Sequence, residues 1–172
     1  MLLALPVLAR FQPETPAVML QAAEARLREA EVLLSLQECD GAIYLAGYVA
    51  EMLLKIAYCN LESSFPANGT VDFIFGPAAT LWKSIIPGKT LPFQHKHNLL
   101  FWEQVLEPHR RASGKPSMDW GSALLMSKHL LTIRRNWRVD LRYQSPFVTL
   151  SEAADVCTAA RWLFNNKIVL WS

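Results

Sequence analysis

The sequence predicts an all-α domain, an up-and-down bundle of about five helices with one elaborated connection. Apolar residues recur at helical spacing along most of the chain, no useful stretch alternates apolar and polar residues as a half-buried strand does, and no internal repeat is visible. At 172 residues the chain suits a single domain, 1–172, able to bury roughly two-thirds of its unfolded surface. Its 52% hydrophobic and 19% charged residues make it more apolar than an ordinary domain. That surplus predicts a covering partner, and a homodimer is expected.

Residues 1–14 are read as an N-terminal arm. Met1–Ala9 is apolar but has no basic leader, and Arg10 ends the run far short of the roughly 20 residues that span a bilayer. Neither a signal peptide nor an anchor is expected, and the protein is placed in the cytoplasm with no membrane contact. The first helix opens at Thr15-Pro16, a cap followed by proline, and runs to about Cys39, with Leu20, Leu27 and Leu34 spaced by seven around Ala23 and Ala30.

Asp40 is positioned to cap a second helix, in which Ala42, Ala46, Val49, Ala50, Leu53 and Ala57 make a small-residue face suited to close packing. Its other stripe carries Tyr48, Glu51 and Lys55 after Tyr44, two phenols and an acid–base pair on one side, predicted to line a cleft. Residues 61–94 hold Pro66, Asn68-Gly69, Gly76-Pro77, Pro87-Gly88 and Pro92, and read as an insertion carrying a short helix over Ala78–Ile86.

A third long helix is predicted over His97–Glu107, ended by Pro108, with a polar loop to Ser117. Asp119 restarts a fourth, which extends into Arg134-Arg135-Asn136-Trp137-Arg138 before Pro146. The last helix opens with the capping box Thr149-Leu150-Ser151-Glu152 and continues through Val156, Ala160, Leu163 and Val169.

A formal charge of +2 does not define a nucleic-acid binder, so the distribution of charge matters more than its sum. Lys128, Arg134, Arg135, Arg138 and Arg142 set five positive groups against the single acid Asp140 within fifteen residues. Guanidinium groups suit phosphate through paired donors, and Trp137 and Tyr143 offer rings for stacking on bases if they face outward. Cys39, Cys59 and Cys157 are odd in number, far apart and set in apolar helices, which predicts reduced thiols.

Other chemistries are set aside. Gly88-Lys89-Thr90 imitates the end of a phosphate-binding loop, but Lys83 stands where its first glycine belongs. His95, His97 and His109 lack a Cys or acidic partner at ligand spacing, so they are read as structural or surface residues; no metal and no cofactor is expected. No serine or cysteine triad is identifiable.

The order of motifs resembles the HEPN family of helical, RNA-linked domains. A long first helix precedes Ala46-Gly47-Tyr48-Val49-Ala50-Glu51-Met52-Leu53-Leu54-Lys55; then come His97-Asn98-Leu99, an Arg-rich segment ending in Arg142-Tyr143, and a final Thr149–Ala153 start. The resemblance covers Thr15 to Ile168 and leaves out the arm and the insertion. It implies a prokaryotic toxin–antitoxin or defence-type setting, a dimer whose Arg-rich cleft meets RNA, a nucleotide or a partner protein, and a nucleotidyltransferase as one kind of partner.

HEPN ribonucleases pair an Arg, usually followed by a polar residue, with a His four to six residues later. Arg135-Asn136 supplies the start, but the window holds Asp140, Leu141 and Arg142 instead of His, and counting from Arg134 does not restore it. Arg135, Asn136 and Asp140 are therefore the catalytic candidates, with Asp140 read first as an ion-pair partner of its Arg neighbours. Arg134, Arg135, Arg138, Arg142 and Tyr143 are the nucleic-acid candidates. The function expected is non-catalytic binding, the alternatives being a metal-independent endoribonuclease and a structural interaction module.

Overall fold

A computed structural model describes residues 14–66, 68–92, 94–143 and 148–172, with the side chains of residues 142 and 143 outside the description. Small residues decide how closely helices approach, and the chain concentrates them in α1 (Pro16–Ser35) and α2 (Cys39–Leu61). Ala23, Leu27 and Ala30 of α1 and Ala42, Ala46, Val49, Ala50, Leu53 and Ala57 of α2 are fully buried. Around this pair stand α3 (Phe75–Ile85), α4 (Leu99–Ala112), α5 (Trp120–Asn136) and α6 (Leu150–Asn165), and the described residues contain no strand. The fold is thus all-α, five long helices and the short α3 of the insertion.

The central helix α2 packs against α1, α4, α5 and α6. By length and hydropathy it is long enough to cross a bilayer, the one such helix among the described residues, yet 78% of its apolar window is buried inside the protein. Its hydrophobicity serves the core. Arg161 of α6 grips Glu31 of α1 through Nε at 2.7 Å and through its second nitrogen, tying the ends of the chain across the bundle.

The helix starts follow local chemistry. Thr15 Oγ1 accepts from Val18 N at 3.3 Å, with Pro16 next in line. At α6, Thr149 Oγ1 accepts from Glu152 N, while Glu152 returns a carboxylate oxygen to the Thr149 N–H at 2.9 Å, closing the predicted capping box. The start of α2 departs from expectation: Glu38, without a side-chain bond, occupies the cap, and Asp40 lies in the first turn, where its charge faces the positive end of the helix.

Helix α4 departs further. It begins at Leu99 under an Asn98 cap, leaving His97 in the preceding 3-10 turn His95–His97, and it continues through Pro108 to Ala112. A proline inside a helix costs about 3 kcal/mol, and the residues beyond it supply the compensation. His109 is buried and stacks on Tyr58 of α2 with ring centroids 3.8 Å apart, and Arg110, also buried, donates to the carbonyls of Val169 (2.7 Å) and Ser172. In the insertion, α3 begins three residues before the predicted Ala78, and Trp82 seats it on α4 by donating to Gln104 Oε1 at 3.2 Å.

Cys39, Cys59 and Cys157 are buried and unpaired. Burial pushes the Cys59 thiol up to about 12 and the Cys157 thiol up to about 11, so both pack as small apolar groups.

Burial also holds the His109 pKa below its usual 6.5, against the opposing pull of Glu62. Its Nε2 has no hydrogen-bond partner and lies 3.8 Å from Glu62 Oε2. The folded state therefore binds this proton less readily than the unfolded chain, so stability present above pH 6.5 declines as pH falls through that value. Urea unfolding at mildly alkaline and mildly acidic pH should show this loss, and His109→Phe, which keeps a ring on Tyr58 but cannot titrate, should reduce it. An unchanged pH slope in that variant would rule out His109 as a source.

Candidate functional site

The site is organised by a tryptophan that enters the middle of α2. Trp137, the first residue past α5, is 4% exposed, and its Nε1 donates to the backbone carbonyl of Tyr44 at 3.0 Å. The indole lies against Gly47, where a Cβ would fall 2.1 Å from the ring, so only glycine admits it. Tyr48 meets the same ring edge to face at 5.5 Å, and its hydroxyl accepts from Tyr44 Oη at 3.3 Å. This anchor ends α5 at Asn136, two residues before the predicted end at Arg138, and turns the following 3-10 segment Val139–Tyr143 across the face of α2. Packing of Trp137 coincides with the end of the helix, and Pro146, expected to enforce the break, lies outside the described residues.

One turn further along α2, Glu51 and Lys55 are 3% and 5% exposed. Lys55 Nζ donates to Glu51 Oε1 at 2.6 Å and also lies 5.3 Å from the Phe75 ring centroid and 5.9 Å from that of Trp102. The carboxylate has a second partner: His97 Nδ1 lies 3.1 and 3.2 Å from its two oxygens. A carboxylate only accepts, so Nδ1 carries the proton toward Glu51, and the tautomer so fixed has its Nε2 as the acceptor nitrogen. His97 is 43% exposed and reaches from this buried pair into a surface hollow.

That hollow, of about 330 Å³, is lined by His97, Arg134, Arg138 and Asp140 over a floor that includes Leu99 and Trp137. Arg134 is steadied by Glu103 of α4 at 3.0 Å, and the other Glu103 oxygen accepts from Ser127 Oγ at 2.6 Å. Arg138 pairs with Asp140 at 3.2 Å in an exposed position. A second hollow of about 510 Å³ opens on the other side of the same segment, lined by Arg135, Asn136, Arg138, Asp140 and Glu152. Glu152 is committed to its helix cap, whose bonds to Thr149 hold its carboxyl below the usual range.

The candidates read from sequence therefore divide. Arg134 faces the first hollow, Arg135 and Asn136 the second, and Arg138 and Asp140 border both. Tyr48, Glu51 and Lys55, expected to line the cleft, instead support it from behind, through Trp137 and through His97. The Glu51–Lys55 pair orients His97. Trp137 packs in the core, which removes it as a stacking platform. Arg142 belongs to the 3-10 segment with Tyr143, and both side chains lie outside the described residues.

His97 is not legible as a site residue in the sequence, because forty-six positions separate it from Glu51 and no spacing rule links the two. The order of motifs, with His97-Asn98-Leu99 after the Glu51–Lys55 helix, was the one available signal. Among the described residues, no three His, Cys, Asp or Glu side chains are grouped to hold a metal. No protein-family model matches the chain, and no curated protein or solved structure is significantly similar to it.

The buried pair makes a stability prediction. Glu51→Ala leaves Lys55 charged and alone in an apolar setting, and should cost about 3–5 kcal/mol in urea unfolding. The double variant Glu51→Leu, Lys55→Met should recover most of that loss, since a well-packed apolar pair often replaces a buried ion pair at little cost. A single variant as stable as the parent would show that the pair carries no such constraint.

Proposed function

We propose that this is an HEPN-like protein that binds RNA through the Arg-rich cleft formed by the end of α5 and the segment after it. The observation that carries this reading is the hollow in which Arg134, Arg138 and a His97 locked onto a buried carboxylate converge. Two guanidinium groups can grip phosphate oxygens through paired donors, and an imidazole Nε2 can accept from a ribose hydroxyl. The motif order that resembles the family supplies the RNA and the toxin–antitoxin or defence-type setting, with a nucleotidyltransferase as one kind of partner protein.

A homodimer belongs to the same reading. Trp120 is 80% exposed and Leu124 52% exposed, and both fall on the face of α5 that leads to Lys128 and Arg135, an apolar ridge beside a basic one. A second copy packed there doubles the basic surface.

Binding should be measured with a labelled single-stranded RNA across a salt series. Arg134→Ala with Arg138→Ala should weaken it and lower the salt slope by about 0.7 for each phosphate contact removed. Affinity unchanged in the double variant sinks the proposal.

The Glu51–His97 contact favours a second reading, metal-independent RNA cleavage in which His97 takes the place of the motif's missing His. Nε2 removes the proton of a ribose 2′-hydroxyl, whose oxygen attacks the adjacent phosphorus. The 5′-oxygen of the next nucleotide leaves, taking a proton from water, the resulting hydroxide is neutralised by the proton on Nε2, and a 2′,3′-cyclic phosphate remains. Arg134 and Arg138 balance charge on the non-bridging oxygens. Cleavage in the presence of a chelator, reduced by at least about a hundredfold in His97→Ala, is the expected result. RNA left intact by the parent protein leaves the binding reading alone.

A further inference from the structure

Arg134 and Arg135 are adjacent in α5, and neighbouring residues on a helix point about 100° apart. Their guanidinium groups accordingly serve different hollows, separated by the segment that Trp137 anchors, with Arg138 on the rim of both. Each hollow has an apolar floor beside its cations, Leu99 and Val139 in the first and Ile43 and Leu141 in the second. Such a pairing suits a sugar-phosphate unit, whose charged and carbon-rich faces differ.

We propose that the two hollows are adjoining subsites for consecutive phosphates of one single-stranded nucleic acid, with Arg138 as the cation common to both. The inference rests on the phosphate-binding reading above and narrows its ligand to a chain with at least two neighbouring phosphates. Arg135 enters the second subsite without an ion pair among the described residues, so its charge is available there. Arg138 and Asp140 are paired at 3.2 Å, but with 77% and 47% exposure the pair is held weakly in water. An incoming phosphate displaces the Asp140 carboxylate and takes its place on Arg138. Asp140 thus acts as a competitor built into the site, disfavouring small anions that cannot engage Arg134 and Arg135 together.

Titration of the full chain with uridine 5′-monophosphate, uridine 3′,5′-bisphosphate and an oligouridylate tests this. The bisphosphate should bind about tenfold more tightly than the monophosphate, the gain expected from a further charge-assisted contact. Arg134→Ala should weaken both by a similar factor, Arg135→Ala should collapse their ratio toward one, and Asp140→Asn should tighten the bisphosphate. Equal affinity for the two nucleotides in the parent protein, or a ratio retained in Arg135→Ala, overturns the two-subsite proposal while binding of the oligouridylate upholds the broader reading. Failure of the oligouridylate itself to bind overturns both. Arg135 and Asp140 sit at the surface, and circular dichroism of their variants checks that the fold is kept.

Discussion

A carboxylate buried in an apolar core must be neutralised and hydrogen-bonded, and in this bundle the requirement falls on Glu51. Lys55 neutralises it from one turn along the same helix, and His97 satisfies its other face from the connection before α4. Three things follow from one charge. The insertion and α4 must close over α2 so that Phe75 and Trp102 flank the ammonium, the 3-10 turn His95–His97 must dock at a defined height, and the imidazole must present its second nitrogen outward.

The complementary constraint is steric. Gly47 leaves a gap in the surface of α2 that the Trp137 indole fills, and the indole N–H finds its acceptor in the Tyr44 carbonyl. This contact sets where α5 stops and how the residues after it travel, and so divides two adjacent arginines between two hollows. Gly47 and Glu51 are one helical turn apart, so a single face of α2 registers both walls of the first hollow, Trp137–Asp140 on one side and His97 on the other. The cleft is consequently backed by buried groups where it meets the core and open to water at its rim, where Arg138 and Asp140 are exposed.

Much of the architecture was legible because its causes are local. The small-residue face of α2, the Thr15 cap and the Thr149–Glu152 box depend on residues within a turn of one another, and each behaves as its spacing predicts. Misreadings arose where a distant contact overrode a local rule. Pro108 does not end α4, since Tyr58 and the carbonyls near the C-terminal end of the chain hold the turn beyond it. Nor does α5 reach Arg138, because Trp137 leaves the helix for a pocket on α2.

The sequence by itself determined the helical class, the close-packing small-residue face of α2 and the concentration of arginine over residues 134–142, all consequences of period and composition along the chain. It also marked Tyr48, Glu51 and Lys55 as an unusual polar stripe on an otherwise apolar helix. Only the tertiary structure decided that this stripe supports the cleft instead of lining it, that Arg134 and Arg135 face different hollows, and that His97 is the side chain Glu51 holds at the surface. The physical reason is that a charge pair or a ring in a gap is chosen by three-dimensional proximity. Spacing along one chain encodes proximity within a helix and is silent about it between helices.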